Sequence, residues 1–247
     1  MQAVVLAAGL GRRLSESSLS LAKPLVPLAG VPLIAHTLRA LAEMSVDRVV
    51  VVTGHQGEAV RDAVRQWARL PAAFVSNPEY ARRASYSLAA ARPECGTEPF
   101  LLLMCDHAMS PGLLEVLLRS AGSEPLGDMC RVAADRAGHH DEAYIAEATK
   151  LSTDAAGLVT AIGKRLPTWD ALDAGAFLCS AAVWDALEGS AEDCHLSEIF
   201  GLLARRRRLG TVDISGHFWY DIDTIDDLQA AERLLAADVP GPSRAPR

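Results

Sequence analysis

A short apolar run that ends in a glycine turn constrains the fold more than any other feature of this sequence. Residues 3–8 read AVVLAA, and Gly9-Leu10-Gly11 follow directly. An apolar run of this length, closed by glycine, is typical of a buried strand that leads into a turn. Because glycine has no Cβ, the backbone at Gly9 and Gly11 can adopt positive φ angles and bring its N–H groups close to an anion. The turn therefore predicts a phosphate-binding loop.

Cationic side chains follow the turn. Arg12, Arg13 and Lys23 supply positive charge, and arginine binds phosphate oxygens with a bidentate fork. The spacer at residues 14–22 is longer than the roughly two to six residues that usually join a strand to a helix, which favours a functional loop. Two other interpretations of the glycine turn are possible at this point: a simple tight turn, and the first turn of a dinucleotide-binding site. A dinucleotide motif would place glycine where this chain has Leu14, and the Gly-Lys-Ser/Thr of a P-loop is absent.

Length and composition indicate one domain with a full hydrophobic core. The chain has 247 residues, of which 50% are hydrophobic, and this suits one large domain better than two. The 24 basic and 31 acidic residues give a net charge of −7. This balance argues against a nucleic-acid partner or an acidic membrane surface. We therefore expect local positive charge wherever an anionic ligand binds.

Cysteine usage and the apolar runs bear on the compartment. The five cysteines show no CxxC spacing, which favours small buried side chains in a reducing compartment. The apolar run at the start feeds a glycine turn and does not resemble a signal peptide. The longest apolar stretches, such as residues 100–105, are far shorter than a membrane span. We expect a soluble, cytoplasmic protein with no membrane span.

Strand and helix patterns alternate through the first half of the chain. This alternation predicts βαβ units and an α/β fold, a Rossmann-like three-layer sandwich with a mostly parallel mixed sheet. Ligands of such sheets bind at the carboxyl ends of the strands. The glycine turn and Asp106 each follow a predicted strand, so we expect both at the same edge. The predicted strands are residues 3–8, 48–53, 72–76 and 99–105, and the predicted helices are residues 33–44, 58–68 and 85–92.

The second half changes character, and its short strands indicate an antiparallel-rich substrate extension. We interpret residues 1–237 as a single domain, with a nucleotide-binding part up to residue 120, an acceptor-binding part beyond it, and a flexible tail at 238–247. Thr224 is interpreted as the N-cap of a last helix that runs to residue 237. The other predicted strands are residues 127–134, 144–149, 157–163, 171–178 and 211–214, with a hairpin turn at 154–157 and helices at 181–187 and 196–208.

The chain resembles the sugar-nucleotidyltransferase superfamily over nearly its whole length. Within that superfamily it is most similar to the cytidylyltransferases that use CTP and inositol 1-phosphate. Two departures occur in the first motif, Arg12 in place of Thr or Ser and Ala22 in place of proline. The segments that carry the resemblance are VLAAGLGRRL (5–14), AKPLVPLAGVPLI (22–34), NPEYARRASYSLAAA (77–91), LLMCDH (102–107), IAEATKL (145–151), IGKRLPTWDALDAGAF (162–177), LSEIF (196–200) and FWYDIDTIDDLQAAE (218–232).

The resemblance implies a reaction between two phosphates. A phosphomonoester oxygen attacks the α-phosphorus of a nucleoside triphosphate and pyrophosphate leaves. Both reactants are anionic, so the main tasks are to neutralise charge and align the phosphates, and no side-chain nucleophile is required. Mg²⁺ is the implied cofactor, held by carboxylate oxygens.

The resemblance also implies individual roles. Asp106 and Asp221 match the metal-binding carboxylates, and Asp223 is a second candidate whose alternative role is entry into the last helix. His107 remains open between a polar group of the pocket and a structural histidine. The implied catalytic residues are Arg13, Lys23 and Lys164. The implied nucleotide-binding residues are Ala7, Ala8, Gly9, Gly11, Arg12, Ser85 and Asp106, and the implied acceptor-binding residues are Tyr86, Lys150, Asp173 and Gly175.

The substrates are the least determined part of this interpretation. CTP is the favoured nucleotide, and a small phosphorylated polyol such as inositol 1-phosphate is the favoured acceptor. An alternative function on the same fold uses a different acceptor, which could be a sugar 1-phosphate, phosphocholine or a phosphonate, with CTP or another nucleotide. A catalytically inactive, ligand-sensing relative is a further alternative, and an NAD-binding oxidoreductase is disfavoured by Leu14. The sequence leaves the oligomeric state open, with a homo-oligomer as one option.

Overall fold

The computed structural model describes residues 1–15, 21–123, 126–136 and 140–238. The strands in these ranges are β1 (Gln2–Ala7), β2 (Pro27–Leu28), β3 (Val31–Pro32), β4 (Arg48–Thr53), β5 (Ala72–Ser76), β6 (Phe100–Met104), β7 (His107–Met109), β8 (Cys130–Asp135), β9 (Lys150–Thr153), β10 (Val159–Gly163), β11 (Ala171–Cys179), β12 (Leu209–Asp213) and β13 (Trp219–Asp221). The helices are α1 (Arg12–Ser15), α2 (Leu33–Ala42), α3 (Gly57–Trp67), α4 (Ala84–Cys95), α5 (Pro111–Ser123), α6 (Glu142–Glu147), α7 (Ala182–Glu188), α8 (Leu196–Arg205) and α9 (Ile225–Asp238), and a 3-10 helix covers Lys23–Leu25.

A nine-stranded mixed sheet forms the centre of the described part of the chain. Strands β6, β1, β4 and β5 lie side by side and run parallel. Strand β11 pairs antiparallel with β6, β8 and β9, β9 pairs antiparallel with β10, and β12 runs parallel to β8. The sheet is thus parallel in the first half of the chain and rich in antiparallel pairs in the second. This confirms the predicted fold class.

Helices cover both faces of the sheet, which makes the three layers of the sandwich. Side chains alternate along β1, so that Val4 and Leu6 pack on one face and Ala3 and Val5 on the other. The first face packs against α4, α7 and α8, and the second against α2, α3 and α5. Each large side chain buried in these layers stabilises the fold by roughly 1.5–3 kcal/mol.

Element bounds agree with the prediction best in the parallel half. Strands β4 and β5 have the bounds that the sequence predicts, residues 48–53 and 72–76. The predicted strand at residues 144–149 is wrong, because these residues belong mainly to α6. The side chain of Asp141 caps that helix by accepting a hydrogen bond from the N–H of Tyr144 at 2.8 Å. A short apolar run fits a helix or a strand equally, and the capping aspartate decides here.

A small apolar cluster ties the start of the chain to its end. Leu14 and Leu28 pack in it with Tyr220, Ile222 and Ala231. Strand β13 pairs antiparallel with β7, which comes directly after β6. The C-terminal part of the chain therefore lies at the carboxyl edge of the parallel strands, beside the glycine turn.

The predicted domain parts share one sheet, since β1, β4, β5 and β6 come from residues 1–120 and the other five strands from residues beyond 120. Of the predicted tail, Asp238 ends α9 and residues 239–247 lie outside the described residues. No helix within the described ranges is long and apolar enough to cross a lipid bilayer.

Candidate active site

The glycine turn lies at the carboxyl end of β1 and is shaped around a lysine. Gly11 has a φ of 56°, in the left-handed region that favours glycine. A Cβ on Gly11 would lie 2.4 Å from the Cβ of Lys23, which no real side chain tolerates. Around Gly9, by contrast, no described atom lies within 4 Å of where a Cβ would stand. The turn therefore holds Lys23 tightly at Gly11 and leaves open space at Gly9.

That open space is part of a cavity of about 340 Å³, called the first cavity. Besides the predicted residues, Tyr80 and Arg82 line it, and sequence reasoning assigned no role to either. They belong to residues 77–91, one of the segments that resemble the nucleotidyltransferase superfamily. That resemblance was the signal that could have identified them. The predicted site residues that line the first cavity are Ala8, Gly9, Gly11, Arg13, Lys23, Asp106 and Asp223.

Lys23 bridges two carboxylates at the wall of this cavity. Its Nζ donates to Asp106 Oδ2 and to Asp223 Oδ1, both at 2.7 Å, and the side chain is 7% exposed. Arg13 donates to the other oxygen of Asp223. Three segments that are far apart in the chain thus meet through charge-assisted hydrogen bonds.

The charges of this group reinforce one another. Burial alone would lower the pKa of Lys23, but the carboxylates of Asp106, Asp221 and Asp223 raise it above its ordinary value. Burial alone would raise the pKa of Asp106, but Lys23 and His107 hold it well below its usual range. Lys23 therefore stays protonated and Asp106 stays ionised across the physiological pH range.

Asp106 and Asp221 form the part of the site that suits a divalent cation. Ligand atoms of Asp106, His107 and Asp221 all lie within 4.8 Å of one another. Asp221 Oδ1 is buried and has no hydrogen-bond partner among the described residues. The Nδ1 of His107 lies 3.7 Å from this oxygen, which makes an ion pair without a hydrogen bond. A buried carboxylate oxygen without a hydrogen-bond partner is stabilised when a cation binds it directly. Carboxylate oxygens are the ligands that Mg²⁺ prefers, so these residues fit the predicted metal.

His107 supports the carboxylates. Its Nδ1 donates to Asp106 Oδ1 at 2.9 Å, and its ring stacks on Trp219 with 6.5 Å between centroids. Burial would lower the pKa of His107, but Asp221 and Asp106 raise it to about 9. Because Nδ1 carries the proton that it donates to Asp106, this nitrogen has no lone pair for a metal. Gly175 is required here, because its φ is 72° and a Cβ would lie 2.4 Å from the His107 ring.

A second cavity of about 290 Å³ lies beside the first. Both cavities are lined by Ala84 and Met104. Asp106 lines the first and Asp221 the second, so the pair of carboxylates stands where the two cavities meet. The predicted residues that line the second cavity are Lys164, Asp173, Gly175 and Asp221.

Sequence reasoning assigned no site role to several residues of the second cavity. Tyr144 accepts a hydrogen bond from the backbone N–H of Asp221 at 2.9 Å, and it was hidden because its segment was interpreted as a strand. Trp219 donates to the buried Asp135 at 2.9 Å and stacks on His107. His195 and Ser197, at the start of α8, also line this cavity, and the signal for them was the LSEIF segment.

Some predicted residues lie outside both cavities. Ser85 Oγ donates to the Glu192 carbonyl and accepts from Cys194 N–H, and Tyr86 donates to Glu192 Oε1. These two residues tie α4 to the segment before α8. Ala7 is buried inside β1, and among the described residues the Nζ of Lys150 donates its hydrogen bonds to carbonyl oxygens. The side chain of Arg12 lies outside the described residues. Ligand contacts by these five residues stay predictions.

A cationic loop that faces paired carboxylates at the carboxyl edge of the sheet suits a reaction between two phosphates, and this is the arrangement of an α/β nucleotidyltransferase. Comparison with known proteins agrees. Residues 3–201 match the MobA-like NTP transferase domain, and the chain belongs to this family.

Curated relatives match nearly all of this chain. A protein of Rubrobacter xylanophilus named bifunctional IPC transferase and DIPP synthase is 35% identical over 237 residues, which cover 94% of this chain and 51% of that protein. A protein of the same name from Archaeoglobus fulgidus is 32% identical over 239 residues, or 96% of this chain and 44% of that protein. The chain therefore spans about half the length of the curated relatives it matches.

Solved structures confirm the fold. The inositol-1-phosphate CTP transferase from T. maritima superimposes with a TM-score of 0.84 at 20% identity, covering 97% of this chain and 96% of that one. A UDP-glucose pyrophosphorylase from Acinetobacter baumanii gives a TM-score of 0.78 at 15% identity, covering 97% and 94%. The architecture is thus shared with enzymes that carry different names.

The buried carboxylate of Asp173 is expected to make the free energy of unfolding depend on pH. Burial raises the pKa of Asp173 from 3.8 to about 6, although the N–H of Gly175 and the charge of His107 oppose this. A raised pKa means that the folded state penalises the carboxylate above pH 6, and that this penalty disappears as pH falls towards 4. Asp173→Asn keeps an oxygen for Gly175 and is expected to raise the unfolding free energy at pH 8 by up to about 3 kcal/mol.

Urea unfolding at pH 8 and pH 4.5 measures this difference. The gain of Asp173→Asn over the natural chain should shrink at the lower pH, and the exposed Asp62→Asn variant should show no gain at either pH. An Asp173→Asn variant that is equally or less stable at pH 8 would contradict the assigned environment.

Proposed function

We propose that this chain is a Mg²⁺-dependent cytidylyltransferase that joins CMP from CTP to a small phosphorylated polyol such as inositol 1-phosphate. The observation that carries the proposal is the position of Asp106 and Asp221 where the two cavities meet. A cation held there would face both a triphosphate in the first cavity and an acceptor phosphate in the second.

The first cavity suits the triphosphate. Lys23 Nζ has three N–H groups, of which two bind Asp106 and Asp223 among the described residues. The third can donate to a phosphate oxygen without breaking either bond. Arg13 lies beside it, and Gly9 leaves room for the ligand to approach the backbone. These groups neutralise the charge that grows on the leaving pyrophosphate.

The second cavity suits a phosphorylated polyol. Lys164 offers a cation for the acceptor phosphate, and the carboxylate of Asp173 can accept hydrogen bonds from hydroxyl groups. Ser197 and His195, at the start of α8, add further polar groups to this cavity. An acceptor with one phosphate and several hydroxyls matches this distribution of charge.

The reaction forms one P–O bond and breaks another. An acceptor phosphate oxygen attacks the α-phosphorus, and the bond from the α-phosphorus to the oxygen of the β-phosphate breaks. Mg²⁺, when bound by Asp106 and Asp221, would supply charge neutralisation between the two phosphates. Lys23 would hold the triphosphate in the first cavity and Lys164 the acceptor phosphate in the second, so alignment and charge account for the chemistry.

The T. maritima enzyme is named an inositol-1-phosphate CTP transferase, and this name favours inositol 1-phosphate and CTP as substrates. The curated relatives carry the name IPC transferase. A second candidate acceptor is a phosphonate. CMP-5'-(3-aminopropyl)phosphonate synthase of Streptomyces rubellomurinus is 39% identical over 146 residues, covering 55% of this chain and 23% of that protein. Asp173 could pair with an ammonium group in such an acceptor as readily as with hydroxyls.

A substrate panel tests the proposal. Pyrophosphate release is measured with CTP, UTP, GTP, ATP and dTTP, each with inositol 1-phosphate, glucose 1-phosphate, phosphocholine or 3-aminopropylphosphonate, with and without Mg²⁺. We expect the highest kcat/KM with CTP and inositol 1-phosphate, and no turnover after chelation of the metal. Absence of CTP-dependent product with every acceptor would reject the cytidylyl assignment. Mass spectrometry of the nucleotide product identifies the acceptor.

A further inference from the structure

Lys150 is a buried lysine whose contacts differ from those of the two lysines that line the cavities. Three of the 24 basic residues in the chain are lysines. Lys23 and Lys164 line the first and second cavities, respectively. Lys150 lines neither of them and is 6% exposed. Its position behind the second cavity calls for a role other than contact with substrate.

The hydrogen bonds of Lys150 use its whole donor capacity. Its Nζ donates to the carbonyl oxygens of Ala146 at 3.2 Å, Ala148 at 3.1 Å and Lys164 at 3.0 Å. An ammonium group has three N–H donors and no acceptor. Burial and the charge of Lys164 lower the pKa of Lys150, while the three carbonyls favour the charged form by accepting from it. An acceptor phosphate could bind this ammonium only by displacing one of the carbonyls.

The three carbonyls belong to two separate walls of the second cavity. Ala146 and Ala148 lie at the C-terminal end of α6, where a cation suits the orphan carbonyls and the helix dipole. This helix carries Tyr144, which accepts from the N–H of Asp221. The third carbonyl belongs to Lys164, directly after β10. One ammonium therefore ties the helix that orients Asp221 to the residue that offers its own cation to the cavity.

We propose that Lys150 is a positioning residue that clamps α6 to the Lys164 turn and thereby sets the distance between Tyr144 and Lys164. The proposal rests on the proposed function in that Lys164 is taken to bind the acceptor phosphate. Asp141 caps α6 at its N-terminus and Lys150 holds its C-terminus. A helix of six residues is marginal by itself, so these two contacts add to the packing of Tyr144 and Ile145 against the core in fixing its placement.

A double-mutant cycle with Lys150→Met and Lys164→Met separates positioning from contact. Lys150→Met keeps the apolar stem and removes the donors. We expect a loss in kcat/KM for the acceptor of about tenfold for Lys150→Met and about 100-fold for Lys164→Met, by the usual range for hydrogen bonds to charged groups. The double variant should be no worse than Lys164→Met. The KM for the nucleotide should stay within about twofold in all three.

Multiplied losses in the double variant, about 1,000-fold, would overturn the proposal by showing that Lys150 binds the acceptor independently. A loss that falls equally on nucleotide and acceptor would also overturn it, because neither Lys150 nor the residues whose carbonyls it binds line the first cavity. If Lys150→Met does not fold, Lys150→Gln keeps two N–H donors without the charge, and the same cycle is measured with it.

Hydrogen exchange tests the clamp without any substrate, so that its failure is distinguishable from failure of the proposed function. Amides in residues 142–149 and 163–168 are expected to exchange about tenfold faster in Lys150→Met. The Lys164→Met variant, which keeps its main-chain carbonyl, should exchange like the natural chain in both segments. Unchanged exchange in either segment of Lys150→Met would reject the clamp, whatever the acceptor is.

Discussion

Replacement of Lys23 by methionine is expected to lower turnover by about 100- to 1,000-fold, the usual effect of removing one group that stabilises charge in a transition state. Lys23 is the cation that Asp106 and Asp223 share, and its third N–H is the donor assigned to the triphosphate. The variant also leaves two carboxylates close together without that cation. We therefore expect the free energy of unfolding to fall by about 1–3 kcal/mol.

Arg65→Met is the matched control for Lys23→Met. It also removes one positive charge, but Arg65 is exposed on α3, pairs with the exposed Asp62 and lines neither cavity. Such a surface pair contributes about 0–1 kcal/mol, so activity and stability should change little. Steady-state kinetics at saturating CTP measures the activity, and unfolding followed by circular dichroism measures the stability. A folded Lys23→Met protein with the turnover of the control would remove Lys23 from the catalytic group.

Asp221→Asn is expected to have the second large effect, through the metal. This change keeps the size of the side chain and removes the charge of the oxygen that lacks a hydrogen-bond partner. We expect the Mg²⁺ concentration for half-maximal activity to rise at least about tenfold and turnover to fall about 100-fold or more. Mn²⁺ binding, followed by electron paramagnetic resonance, measures the same site without turnover.

Asp223→Asn separates the two candidate metal carboxylates. Asp223 pairs with Lys23 and Arg13, so its loss should raise the KM for the nucleotide and leave the Mn²⁺ affinity within about threefold. Asp62→Asn, on the exposed face of α3, is the control that changes neither. If Asp223→Asn lost Mn²⁺ binding while Asp221→Asn retained it, the assignment of the metal ligands would have to be reversed.

Much of the fold could be predicted because its signals are local. Strands β4 and β5 are apolar runs with clear ends, and both have the predicted bounds. Not every helix was predicted. Helix α6 lies where a strand was predicted, because a short apolar stretch fits either period and Asp141 decides between them. Helix α5 lies in a stretch to which no element was assigned. The edge of the sheet at which the site lies also followed from the sequence, because parallel strands present their carboxyl ends together.

The partners of the charged residues could not be predicted in the same way. Lys23 lies 83 residues from Asp106 and 200 from Asp223 in the chain. No local sequence pattern predicts that residues so far apart in the chain come into contact. The contact depends on how β13 pairs with β7 and on how the apolar cluster of Leu14 and Ile222 packs. Burial, and with it the direction of each pKa shift, follows from the same packing.

The sequence by itself determined the alternation of strands and helices, the glycine turn with its cations, and the carboxylates that follow two strands. Only the tertiary structure decided the surroundings of each buried lysine. Lys23 and Lys150 are both buried, but one lies between two carboxylates and the other among three carbonyls. The reason is physical: periodicity in a sequence reports which neighbours share a face, whereas the surroundings of a buried charge come from segments that meet only after folding.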